Sequence, residues 1–149
     1  MKKRLAIMIP LAAVVAAVMV YLLAARPWLV TNDPNTYDIR ADAPVSIIFD
    51  QFDKTRGVYR IVNSGSEAAF CTNRFALQYQ KNGGWYNVKA DNSGESQVAL
   101  KLEPGGTEYF STFWHSGEKP IPGGEYRLVT PIKTGSGGDY WIAAPFSVP

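Results

Sequence analysis

Phe75-Ala76-Leu77-Gln78-Tyr79-Gln80-Lys81-Asn82-Gly83-Gly84-Trp85-Tyr86-Asn87-Val88 is the stretch on which the fold turns. Phe75, Leu77 and Tyr79 alternate with Ala76, Gln78 and Gln80, the period of two expected of a strand with one buried face. Lys81-Asn82-Gly83-Gly84 then interrupts the run. Asn and Gly accept the positive φ of a tight two-residue turn, so the segment predicts a β-hairpin returning through Trp85–Lys89.

The same rhythm extends outward. Val98, Leu100 and Leu102 alternate with Ala99 and Lys101, and Tyr126 and Leu128 flank Arg127. Tyr140, Ile142, Phe146 and Val148 share one parity, with Pro145 marking an edge strand or a strand switch. Val45–Asp50, Gly57–Asn63 and Thr107–Trp114 are further strand candidates. Both faces of the last carry aromatics, which leaves its inward side open. All 13 glycines lie beyond residue 56, and no helical spacing of apolar residues is sustained there. Turn chemistry recurs at Asn63-Ser64-Gly65, Asp91–Gly94, Glu103-Pro104-Gly105-Gly106, Pro122-Gly123-Gly124 and Gly135–Gly138. Residues 37–149 are therefore expected to form an all-β domain, an immunoglobulin-like antiparallel β-sandwich of 7–8 strands. A small closed barrel is the alternative.

The N-terminal quarter differs in kind. Residues 1–4 are a basic end, and Leu5–Ala25 runs for 21 residues without a charge. A helix of that length covers roughly 31 Å, the thickness of a bilayer's hydrocarbon core. The cationic flank, with Tyr21 and Trp28 near the far interface, predicts a transmembrane signal-anchor at 5–25 with its N-terminus cytoplasmic. Cleavage as a signal peptide competes: Ala24 and Ala25 are small, but Leu22 or Leu23 stands where a second small residue is wanted. Residues 26–36, with two prolines and two asparagines, read as a stalk. The expected location is the cell membrane, single-pass, with the C-terminal domain extracytoplasmic.

Composition narrows the chemistry. The chain has 149 residues, 15 Lys and Arg against 13 Asp and Glu, one Cys and one His. Three of the cations precede residue 5, so the remainder is slightly acidic and offers no basic stripe for nucleic acid. One Cys and one His exclude an internal disulfide and any Cys/His-only zinc centre of three or more ligands. Asp50 and Asp53 are conceivable as a carboxylate pair, and Asp91–Glu95 as calcium ligands. A solvated turn explains the first more simply, and the second lacks EF-hand spacing. Cys71 reads as a small buried residue, and His115 as the end of a strand. No catalytic residue, metal ligand or cofactor is expected. Aromatic residues are the surplus: Trp114, His115, Tyr140 and Trp141, near loop ends, are the candidate partner-binding residues.

These landmarks resemble those of bacterial immunoglobulin-like domains of the Gram-positive surface and membrane-linked type. Leu77, Asn82, Gly83, Trp85 and Tyr86 match the first hairpin, Leu102, Pro104 and Gly105 a turn, and Pro122, Gly123 or Gly124, Tyr126 and Arg127 the head of a late strand. The resemblance covers roughly residues 45–132 and implies a fold and an exported setting. Tyr126 is placed for a tyrosine corner, its hydroxyl bonding an upstream backbone group. The skeleton is also similar to immunoglobulin-like bacterial proteinase inhibitors. The expected function is a non-catalytic binding module whose partner is an extracytoplasmic protein or cell-wall glycan. The alternatives are an exported inhibitor presenting Trp114–Ile121 or Thr134–Asp139 to a protease, and a small glycan-binding or glycan-processing domain.

Overall fold

A computed structural model describes residues 14–16, 37–88, 99–114, 120–136 and 138–149. Residues 14–16 are helical. The rest of the expected span 5–25, the stalk 26–36, the acidic loop 91–95 and His115 lie outside the described residues. Among the described residues no helix is long and apolar enough to cross a membrane.

Nine strands are described: β1 (Val45–Phe52), β2 (Arg56–Asn63), β3 (Ala69–Cys71), β4 (Ala76–Lys81), β5 (Gly84–Asn87), β6 (Leu100–Leu102), β7 (Thr107–Phe113), β8 (Gly124–Thr134) and β9 (Asp139–Val148). They form two separate antiparallel sheets, β1-β2-β7 and β5-β4-β8-β3-β6 with β9 on β8, so the closed-barrel alternative falls. The count exceeds the expected 7–8 because one strand is broken. β3 and β4 both pair with β8, Cys71 opposite Ile132 and Ala76 opposite Val129. Five steps on one side thus face three on the other, and residues 72–75 bulge out of the ladder. The Thr130 hydroxyl donates to the Arg74 carbonyl at 2.7 Å and holds the bulge down.

The turns form as their chemistry requires. Asn82 at φ 50° and Gly83 at φ 77° close the β4–β5 hairpin as a two-residue turn. Gly105, at φ 75°, follows Pro104, and Gly106 N–H donates to the Glu103 carbonyl at 2.8 Å. The Tyr126 hydroxyl donates to the Pro122 carbonyl at 2.8 Å, completing the expected corner.

Between the sheets lie Val45, Ile47, Tyr59, Ile61, Leu77, Leu102, Trp114, Tyr126, Leu128, Ile132, Ile142 and Phe146. The Trp114 and Tyr126 rings stack on Phe146 at 5.0 and 5.7 Å. β7 resolves its ambiguous faces by turning Glu108, Phe110 and Thr112 inward and Tyr109 and Phe113 to solvent. β1 bulges between Phe49 and Gln51, which swings Phe52 back toward Phe49 and Phe146. Among the nine strands β9 pairs with β8 alone, and Pro145 sits exposed within it, as an edge strand allows.

One departure from simple alternation is instructive. Gln78, on the outward parity of β4, is fully buried. Its amide donates to Asn87 at 2.9 Å, and its carbonyl oxygen accepts from the Arg127 guanidinium at 2.7 Å. Arg127 in turn lies 4.4 Å over the Trp85 ring. Three strands thereby seal a polar group on the outer face, which is tolerable because its partners are present.

Candidate functional site

The three candidates among the described residues, Trp114, Tyr140 and Trp141, do not form one platform. Trp114 has no exposed surface: its indole N–H donates to the Asp53 carbonyl at 2.8 Å and its ring is sandwiched into the core. A ring without an open face cannot dock a partner, so Trp114 is corrected from a surface candidate to a core residue. The reason lies at Gly57, where a side chain would collide with the Trp114 ring, leaving a slot that the indole fills. Trp114 packs on Phe146, six positions along β9 from Tyr140 and so about 20 Å away along an extended strand.

Tyr140 and Trp141 are half-buried at the start of β9 and, as strand neighbours, point to opposite sides. Both are covered by the chain's own approach to the sandwich. Residues 37–40 run alongside β9: Ile39 forms a parallel bridge with Trp141, and Arg40 N–H donates to the Trp141 carbonyl at 2.9 Å. The Tyr37 ring lies 4.3 Å from that of Trp141, and Asn87 donates to the Tyr37 hydroxyl at 3.4 Å. The Arg40 guanidinium sits 5.2 Å above the Tyr140 ring while bonding Asp42 at 3.2 Å. A basic group over an aromatic face is attractive, and this pair forms a roof.

Beneath that roof is a cleft of about 310 Å³ at the end of the sandwich. Its walls come from three separated parts of the chain: Arg40 and Pro44 before and at β1, the loop joining β2 to β3, and the β8–β9 hairpin. The loop is fixed by Asn63, whose amide donates to the carbonyls of Glu67, Leu102 and Glu103 at 2.8, 3.0 and 3.3 Å and whose oxygen accepts from Gly65 N–H. The hairpin is fixed by Thr134, whose N–H and hydroxyl both donate to the Gly138 carbonyl. Tyr140 lines the cleft, while its hydroxyl has almost no surface open to it and no hydrogen-bond partner among the described residues. Burial raises the Tyr140 phenol above its ordinary range, with Arg40 pulling the other way. The hydroxyl therefore stays protonated at neutral pH, able to donate and accept.

The remaining candidates are engaged elsewhere. Asp53 accepts from the Thr55 hydroxyl and from Thr55 and Arg56 N–H, which holds its carboxyl below the usual range. Asp50 pairs with Arg60 at 2.7 Å on the outer face. Each carboxylate is thus bound to its own partners, not paired across a reacting space. Cys71 is buried, and burial pushes its thiol up to about 11, the reverse of what a nucleophile needs.

The sequence matches the bacterial Ig-like domain model over residues 45–147. The chain belongs to the bacterial Ig-like domain family. No curated protein matches it. Similar solved structures include a structural-genomics target at 15% identity, covering 72% of this chain and 88% of that one with a TM-score of 0.45. A protein of Bordetella pertussis assigned as ApaA aligns at 20% identity over 77% and 95% of the two chains, TM-score 0.41. The alkylpurine DNA glycosylase AlkC of Pseudomonas fluorescens aligns at 16% over 71% of this chain and 30% of its own, TM-score 0.34. Likenesses this distant add nothing to the family assignment. Of the aromatic residues singled out in the sequence, Tyr140 lines the cleft, whereas Trp141 packs against Tyr37 on the other side. Arg40, Asn63 and Glu67 join the cleft only through the fold, as ordinary polar residues that no motif marks.

Proposed function

We propose that this bacterial Ig-like domain is a non-catalytic binding module held at the outer face of the cell membrane by residues 5–25. The observation that carries binding is the cleft beside Tyr140, two of whose walls, the β2–β3 loop and the β8–β9 hairpin, are braced by their own hydrogen bonds. The support for an outer-membrane-face setting is the uncharged 21-residue run with its basic flank. Externally added protease on intact cells is expected to digest an epitope placed after Pro149, while an epitope before Lys2 survives until the membrane is opened. Protection of the C-terminal epitope reverses the orientation. Photocrosslinking from position 67 in native membranes is expected to yield a discrete adduct; a bare, unmodified chain counts against a binding role.

A second reading, an exported proteinase inhibitor, draws on one feature. Trp114 N–H donates to Thr55 and Ile121 N–H to Lys54, at 2.9 and 2.7 Å. Trp114 and Ile121, which flank 115–120, are thereby held on a single turn, as the two ends of a protease-facing loop would need to be. Purified chain that slows none of a panel of serine, cysteine and metalloproteases dismisses it.

A further inference from the structure

We infer that β7 is a self-association edge, along which two copies of the chain pair antiparallel with Ser111 at the two-fold axis. The surface is separate from the cleft, since none of residues 107–113 lines it.

The backbone supplies the adhesive groups. Among the nine strands β7 pairs with β2 on one side and with nothing on the other. The Gly106 carbonyl accepts from Asn63 N–H, and Trp114 N–H donates to the Thr55 carbonyl, so the even-numbered positions of β7 bond toward β2. In an antiparallel ladder the alternate residues then aim their N–H and C=O groups away, here Thr107, Tyr109, Ser111 and Phe113. The Thr112 hydroxyl reaches the Phe113 carbonyl at 3.3 Å and leaves that oxygen a second lone pair. The side chains of the same four residues stand on the outer face of the sheet. Tyr109 is 67% and Phe113 47% exposed, so neither ring is roofed by the chain.

The other edges are guarded, and β7 is not. β1 bulges beyond Phe49 and carries Asp50, and β9 holds Pro145 and is flanked by residues 37–40. β5 and β6 are only 4 and 3 residues long. Bulges, proline, charge and shortness are the devices that keep sheet edges apart. β7 runs for 7 residues with no Pro, no Lys and no bulge, and its one charged residue, Glu108, turns inward. The occupant follows from the edge itself. Tyr109-Phe110-Ser111-Thr112-Phe113, laid against its own copy about Ser111, sets Tyr109 opposite Phe113 twice and Ser111 opposite Ser111. About six inter-chain backbone hydrogen bonds form, both aromatic pairs meet on one face, and no charge meets its like. Glu108 falls outside the paired stretch. The merged sheet ends on the two bulged β1 strands, so the pairing closes at two copies and does not grow into a fibre. So short an edge buries less than a standard interface, which puts the expected affinity in the micromolar range.

The test places a cysteine on the axis. In the full chain dispersed in detergent, Ser111→Cys is expected to oxidise to a disulfide-linked dimer, because facing Cα atoms of such a pair stand about 5.5 Å apart, within a disulfide's reach. Cys71 is buried and does not compete. Ser46→Cys, exposed on β1 at the other edge of the same sheet, should stay unlinked. In sedimentation equilibrium the wild type should dimerise reversibly. Ser111→Lys should weaken that dimer about tenfold or more by setting like charge against like, with the melting temperature unchanged. Ser111→Asp should do the same alone, and an equimolar mixture of the two variants should restore association. A wild type that stays monomeric at about 100 μM overturns the inference. So does a dimer that Ser111→Lys leaves intact, which assigns the contact to another part of the chain. Equal linkage through positions 46 and 111, or a mixture no tighter than either variant alone, overturns it as well. If photocrosslinking from position 109 in native membranes captures a different protein while position 111 stays unlinked, β7 takes a foreign strand and the second copy is wrong.

Discussion

Gly57 faces the indole of Trp114 so closely that a single methyl group would overlap the ring. Gly57→Ala is therefore expected to cost about 1–3 kcal/mol, read as a lower urea midpoint with an unchanged m-value. Tyr126→Phe deletes the bond to the Pro122 carbonyl and should cost about 1 kcal/mol by the same measurement. Cys71 yields a pH dependence. In the unfolded chain its thiol ionises near 9.0, whereas in the folded chain burial keeps it protonated to about 11. The unfolded state thus gives up its proton first, and stability present below pH 9 drains away as pH rises toward 11, by about 2 kcal/mol. Tyr126, also raised by burial, adds to the decline at the alkaline end. Chemical denaturation between pH 8 and 11 should show the fall, and Cys71→Ala should delay its onset. Some of these residues were legible beforehand: Tyr126 announces itself through Gly124 and the strand it heads. Trp114 was not, because its strand carries aromatics on both faces and the slot that receives it is cut by a glycine on another strand.

β8 is the spine of the larger sheet, pairing along its length with β9 on one side and with β4 and then β3 on the other. The hairpins and turns beside it were legible because positive φ is a local demand that Asn82, Gly83 and Gly105 meet alone. The bulge at 72–75 was not, since it exists only as a mismatch of register against β8. Gln78 was read as a solvent-facing residue for the same reason: Arg127 and Asn87, which make its burial affordable, stand on other strands. Asn63 binds elements together similarly. It looked like the first residue of a turn, yet its amide reaches three carbonyls on both sides of the sandwich's end. Asn63→Ala would strand those buried acceptors, and a loss of about 2–3 kcal/mol is expected. Faster hydrogen exchange in residues 64–69 and 102–106 would localise that loss to the cleft end.

At the scale of the molecule, one set of two packed sheets accounts for the family match, and among the described residues its buried core runs from Val45 to Val148. A chain beginning at Tyr37 is expected to fold alone, with the β-sheet circular dichroism and cooperative melting of the longer protein. A molten or aggregated product would show that the preceding residues contribute to the sandwich. The candidate site was half legible. Aromatic residues near the final strand were visible in the sequence, but the cleft is assembled from three distant segments and from an ordinary tyrosine whose hydroxyl is left over. No pattern along the chain records that.

The segment 37–40 meets the sandwich beside Trp141, whereas Val148 closes the opposite end of β9 against Gly124. Tension transmitted through the residues before Tyr37 therefore reaches the Arg40–Trp141 hydrogen bond before it reaches the β1–β2 ladder. A pull strong enough to detach that short strap lifts Arg40 away from Tyr140 and uncovers the cleft while both sheets hold. A pull on residues 37–40 thus bears on the guanidinium that covers the Tyr140 ring before it bears on either sheet.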